Sequence, residues 1–179
     1  HLDKNYSVRK TGAACGDLFT AIGMIQSVFR DATPDDYEAR MELALQDAWR
    51  SGTRALRTHI DWMQAEPPVA LAVVERLAQA WAGRVQLQWA ALTPLDILCE
   101  PGVGAAIAAQ VAARGGLMGA FVYRNEGIRA KLEQVFALAQ QHGLALDFHV
   151  DEGLNVDATA LADIADLTMT FGMQGRVVC

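Results

Sequence analysis

The chain has 179 residues, 52% of them hydrophobic and 20% charged, with a formal net charge of −6 and a pI of about 5.1. Such a composition builds a packed core and excludes a disordered chain, and its acidity argues against nucleic acid, whose phosphates call for a basic stripe. The apolar runs stop short of the roughly 18 residues a membrane helix needs, and the polar start offers no signal peptide.

In chain order, helical periodicity comes first. Asp17 to Phe29 and Pro34 to Arg50 both read as helices. Thr33 before Pro34, with Asp35 and Asp36 in the first turn, is a helix start that satisfies orphan amides and suits the helix dipole. Gly52 closes that helix. Short β-rich runs then recur at Ala55 to Ile60, Val85 to Leu92, Leu117 to Val122, Leu144 to Val150 and Val177 to Cys179, with starts about 30 residues apart. Helical stretches fill the gaps: Val69 to Ala82 after Pro67 and Pro68, Gly102 to Ala113, Ile128 to His142, and Asp157 to Phe171. Gly115, Gly143 and Gly172 stand where helices stop.

Strand and helix alternating at this period predict βαβ units and a parallel sheet, an α/β fold. A doubly wound open sheet would carry a glycine-rich phosphate turn after an early strand, and no GxGxxG or GxxxxGK[ST] follows any strand here. A (β/α)8 barrel instead places reactive side chains at the C-terminal ends of several strands, which is the pattern seen. The first residue is His and the last apolar run, Arg176 to Cys179, breaks off at the end of the sequence. The expectation is therefore a partial TIM barrel cut at both ends. It would run from the end of the first barrel strand through the sixth, with residues 1–179 forming part of a single hydrolase domain. The three cysteines, Cys15, Cys99 and Cys179, are widely spaced and odd in number, which predicts no disulfide framework and a cytoplasmic protein.

Three histidines fall where chemistry is expected. His59 ends a strand in Arg57-Thr58-His59-Ile60-Asp61, His149 ends another in Asp147-Phe148-His149-Val150-Asp151-Glu152, and His1 opens His1-Leu2-Asp3-Lys4, whereas His142 sits in a helix-to-strand turn. Imidazole supplies a neutral nitrogen ligand, and a carboxylate three residues on supplies a proton carrier. Taken singly, any of these histidines reads equally well as a structural or surface residue, and HxxE alone is a common pattern.

Together these segments resemble the cytosine-deaminase-like metal-dependent amidohydrolases. His1-Leu2-Asp3-Lys4 is similar to the tail of the family's HxH motif, Arg57 to Asp61 to its RTHxD segment, Val85 to Ala91 to its third strand, and Asp147 to Glu152 to its HVDE segment. The resemblance implies one divalent metal, zinc or iron, with His1 and His149 as ligands. It implies Glu152 as the catalytic acid and His59 and Asp61 as groups behind the ligands that orient them. The reaction it implies is deamination of a cyclic amidine or nucleobase-like substrate of the cytosine or isocytosine type by a metal-activated hydroxide. The first histidine of HxH, the general-base histidine and the eighth-strand aspartate have no counterpart in the sequence, so the segment by itself is expected to be inactive. Pro94 stands where the cytosine-specific member has a glutamine, which opens the substrate to other ring systems. Lys4, Tyr123, Asn125 and Trp62 are further candidates for substrate contact; Trp49, Trp81 and Trp89 read as core. The implied partner is a small nitrogen heterocycle, with no nucleic acid or membrane; a homo-oligomer is compatible. Two alternatives stay open: removal of a substituted amine or opening of a cyclic amide on the same scaffold, and a non-catalytic α/β binding module.

Overall fold

A computed structural model describes residues 1–12, 16–153 and 155–179; Cys15 lies outside the described residues. Among the described residues five strands alternate with helices, as the sequence pattern predicts. The chain divides into two compact units, one of His1–Ile60 and Val69–Gln88, the other of Asp61–Pro68 and Trp89–Cys179.

The first unit opens with a single 3-10 turn, Leu2–Lys4, followed by α1 (Val8–Thr11), α2 (Leu18–Phe29), α3 (Pro34–Arg50), β1 (Ala55–Asp61) and α4 (Val69–Ala80). Helix α3 begins where Thr33 and Asp36 cap each other reciprocally, with Pro34 in the first turn. Its buried Met41, Ala44 and Leu45 lie along one stripe. That stripe meets the apolar side of α4, whose Leu71, Val73, Val74 and Leu77 are also buried. Each fully buried aliphatic side chain contributes roughly 1.5–3 kcal/mol. Trp81 seals the end of α4, and its Nε1 donates to Glu42 Oε2 at 2.7 Å, so the large ring is buried without stranding its N–H.

Two hydrogen bonds fix where the N-terminal turn lies. Leu2 N donates to the buried Thr58 Oγ1 at 2.8 Å, and Arg40 Nε donates to Asp3 O at 3.0 Å. The turn is thereby stapled to β1 on one side and to α3 on the other.

The second unit holds β2 (Gln86–Pro94) from Trp89 onward, α5 (Leu95–Leu98), α6 (Val103–Ala113), β3 (Leu117–Val122), α7 (Ile128–His142), β4 (Leu146–Val150), α8 (Ala160–Thr170) and β5 (Val177–Val178). These strands pair in the order β2-β3-β4-β5, every pair parallel. In-register neighbours in a parallel sheet point to the same face. On one face the rows are Ala91-Met118-Leu146 and Thr93-Ala120-Phe148, all buried. Phe136 of α7 stacks on Phe148 with ring centroids 5.9 Å apart, so this face is the one the helices cover. On the other face the rows are Leu92-Gly119-Asp147 and Pro94-Phe121-His149, the last row only half-buried.

Gly119 shows how tightly the central strand is held. A Cβ there would stand 2.4 Å from Ala91 O and 2.9 Å from Asp147 O, inside the contact distance of backbone atoms that the ladder does not let move. Among the described residues no helix is long and apolar enough to cross a membrane.

Candidate functional site

In the first unit the chain brings His1 and His59 together. The rings of His1 and His59 lie 5.4 Å apart between centroids, tilted by 40°, and each offers a nitrogen within 4.8 Å of the other's. Strand alternation explains His59: Thr58 and Ile60 are buried and His59, between them, turns to the opposite, partly exposed side. The staple from Leu2 to Thr58 then sets His1 beside it. Lys4 lies at the same place, its Nζ 3.3 Å from His1 Nδ1 and 3.3 Å from Asp3 Oδ2. Two imidazoles this close together are a donor set that suits zinc or iron, so the residues present fit a divalent cation.

In the second unit His149 sits near the C-terminal end of β4, level with Phe121 of β3 and Pro94 of β2 on the half-buried face. Pro94, expected at a substrate contact from the sequence, therefore shares a row with His149. Phe121 is the residue that sequence reading missed. Its only signal was position, two residues before Tyr123 in the same strand, and without the register nothing sets it beside His149.

The loops beyond the strands are held by the side chains that looked reactive. Asn125 Oδ1 accepts from Tyr123 N at 2.9 Å, and Asn125 Nδ2 donates to Asp96 Oδ2 at 2.9 Å. Lys131 donates to the other oxygen of Asp96 at 2.6 Å; this ammonium, with the Asn125 amide, holds the Asp96 carboxyl below the usual carboxylate range. Tyr123 Oη accepts from Asn155 Nδ2, and Gly153 packs against the tyrosine, a Cβ there falling 3.1 Å from its hydroxyl. Arg124 pairs with Asp157 at 3.1 Å. The β3–α7 and β4–α8 loops are thus tied to each other, and the polar groups of Tyr123 and Asn125 expected on substrate serve that tie. Trp62 is fully buried at 0% exposure, with its N donating to Leu92 O at 2.9 Å; its ring belongs to the core and leaves no face for a ligand.

Within the HVDE segment, two carboxylates have different surroundings. Asp151 takes a left-handed φ of 55°, and its two oxygens accept from Ala160 N at 3.1 Å and Leu161 N at 2.9 Å. It caps α8 from across the loop, while Glu152 stands exposed beside it. Asp61 is half-buried at the end of β1. Replacing Asp151 with alanine should cost about 1–2 kcal/mol, the loss of a helix cap with added strain at positive φ. Asp151→Asn, which keeps an acceptor and tolerates this conformation, should recover most of it. Thermal unfolding of the two variants checks this, and equal melting temperatures for wild type and Asp151→Ala would contradict it.

No protein-family model matches the chain. It is 31% identical over 179 residues, 99% of its length, to a pterin deaminase of Rhizobium rhizogenes, of which it covers 41%. Among solved structures it resembles an N-isopropylammelide isopropylaminohydrolase from Burkholderia multivorans, with 28% identity, a TM-score of 0.76, and coverage of 99% of this chain and 45% of that one. A 5-methylcytosine deaminase from Klebsiella pneumoniae, at 23% identity and a TM-score of 0.76 over 89% of this chain and 40% of that one, shares the fold. The chain thus spans less than half the length of the proteins it matches. The likeness to cytosine-deaminase-like amidohydrolases read from its motifs is borne out, as is the α/β reading of a partial barrel with alternating strands and helices.

Proposed function

We propose that residues 1–179 are part of a single hydrolase domain of a metal-dependent deaminase, which removes ammonia from an aminated, planar nitrogen heterocycle. The observation that carries this reading is His149 at the rim of β4, in one row with Phe121 and Pro94 on the half-buried face, followed three residues later by the exposed carboxylate of Glu152. The relatives support it: a pterin and 5-methylcytosine, the substrates their names carry, are both rings with an exocyclic amino group.

In this reading His1 and His149 are ligands to one zinc or iron ion. When bound, the metal brings the pKa of a water from about 15.7 to roughly 7, giving a nucleophile at neutral pH. His149 presents its nitrogen from the end of β4, on the half-buried face. Phe121 and Pro94 flank it with apolar surface that suits the edge or face of a flat ring. Glu152 carries a proton to a ring nitrogen of the substrate, so that the carbon under attack becomes more electrophilic and the amine leaves as ammonia. Asp61 orients groups behind the ligands. The free thiols of Cys99 and Cys179 are consistent with a reducing cytoplasm.

A second reading stays on the same scaffold. The likeness at 28% identity to an isopropylaminohydrolase, and the absence of a side-chain amide at Pro94, favour loss of a substituted amine. One experiment separates the two. The full-length protein to which residues 1–179 belong is purified and assayed for metal content and for amine release from cytosine, isocytosine, pterin, creatinine-like and N-alkylated triazine substrates. The expected result is about one transition metal per chain and ammonia release from at least one aminated ring. Alkylamine release alone would select the second reading, and a metal-free wild type of undiminished activity would end both.

A further inference from the structure

We propose that Tyr123 is a positioning residue: it acts through Glu152, by holding the loop on which this carboxylate stands. The inference rests on the proton-carrying role given to Glu152 above and deepens it. A loop places a reacting group less precisely than a strand or a helix does, unless neighbouring side chains fix its course. Glu152 lies on such a loop, exposed, just past the end of β4 at Val150.

Before Glu152 the loop is fixed by Asp151, whose N donates to Val122 O at 3.3 Å and whose carboxylate caps α8. After Glu152 it is fixed by Tyr123. Gly153, the next residue, packs so closely on the tyrosine that an added Cβ would stand 3.1 Å from its hydroxyl and 3.2 Å from Cε2. Asn155 donates to Tyr123 Oη through its Nδ2. Glu152 is thereby bracketed by residues that are held, while its own carboxylate takes no part in these bonds and stays available to a proton.

Tyr123 is itself anchored. It follows Val122, the last residue of β3. Its ring stacks on Phe121, with centroids 6.4 Å apart and planes 20° from parallel. Its N donates to Asn125 Oδ1 at 2.9 Å, and Asn125 is fixed in turn by its bond to Asp96 of α5, also 2.9 Å long. The loop after β4 is thus braced against the end of β3 and the start of α5. Such bracing matters for proton transfer, which needs the donor within about 2.6–3.2 Å of its target; a shift of about 1 Å costs on the order of 100-fold in rate.

The test is a double-mutant cycle in the full-length protein to which residues 1–179 belong, comparing wild type, Tyr123→Phe, Glu152→Gln and the double variant. Phenylalanine keeps the ring against Phe121 and Gly153 and deletes only the bond to Asn155. Turnover is read as ammonia released from the substrates assayed above, cytosine and isocytosine among them. Tyr123→Phe should lower kcat about 10- to 100-fold, with KM and metal content near those of wild type. Added to Glu152→Gln, it should change the rate by less than about twofold, because residues that act as a unit are not additive and a displaced amide has no proton to deliver. Asn155→Ala, a change at an exposed position, removes the same bond from its other end and should reproduce the loss, so a fault in the packing of the tyrosine cannot imitate it. Tyr123→Phe at the wild-type rate, a loss that Asn155→Ala does not share, or the full loss repeated on top of Glu152→Gln overturns the positioning role and leaves the proposed function standing. Glu152→Gln at the wild-type rate overturns the proton-carrying role and this inference with it.

Discussion

Replacing His149 with alanine should strip the metal and reduce turnover by at least about a thousandfold. The size follows from the chemistry asked of the site. Bulk water has a pKa of 15.7, and a bound cation is what makes hydroxide abundant at pH 7; a ligand lost from the set weakens the cation's hold beyond the 10- to 100-fold typical of residues behind the ligands. The fold should tolerate the change. His149 lies on the half-buried face of β4, whereas the packing of that strand is carried by Leu146 and Phe148, at 0% and 3% exposure on the other side. Metal analysis and amine release on the same preparation, with circular dichroism to confirm folding, give the result. Full metal content and full activity in His149→Ala would remove this residue from the site.

How much of this was legible in the sequence depends on how local the cause is. Helix α3 runs Pro34–Arg50, as read, because its start is written in adjacent residues, Thr33, Pro34 and Asp36. Strand β3 and helix α7 also match their predicted spans, since both combine a clear period with glycine stops. Helix α8 begins three residues later than predicted, at Ala160. The sequence reading took Asp157 as the start, but the residue whose side chain caps the helix is Asp151, nine positions before Ala160 at the end of a strand. Likewise Leu144 was read into β4 but lies in the turn that closes α7: its N–H reaches back to Ala139 O at 2.8 Å, past a left-handed Gly143. Short α5 went unread because the strand before it was read only from Val85 to Leu92, and Pro94 drew notice as a position for substrate contact. Pro94 is the end of β2, and it is also the N-cap from which four helical residues follow.

The site divides along the same line. His149 was legible because a strand end announces itself. The pairing of His1 with His59 was not, since it depends on one buried hydrogen bond between Leu2 and Thr58. Phe121 was invisible without the β3–β4 register. Tyr123 and Asn125 drew attention by their chemistry, and that chemistry joins two loops.

Glu152→Gln should separate proton transfer from metal binding. Glutamine keeps the length and one acceptor oxygen of glutamate, so the loop after β4 keeps its course; that course is set by Asp151, through its left-handed backbone and its bonds to the start of α8. What glutamine cannot do is carry a proton. The expected result is a wild-type metal content with turnover lower by roughly 10²–10⁴-fold, the usual contribution of general acid–base catalysis. The companion change at Asp151 makes the comparison sharp: its loss acts first on stability and is eased by asparagine, whereas an amide at 152 leaves the melting temperature in place and removes the rate. Should Glu152→Gln turn over substrate at the wild-type rate, the proton must travel by another group, and the carboxylate would be only a solvated loop residue. Should it instead lose the metal, the carboxylate would be a ligand, and Glu152 would join His149 in holding the cation.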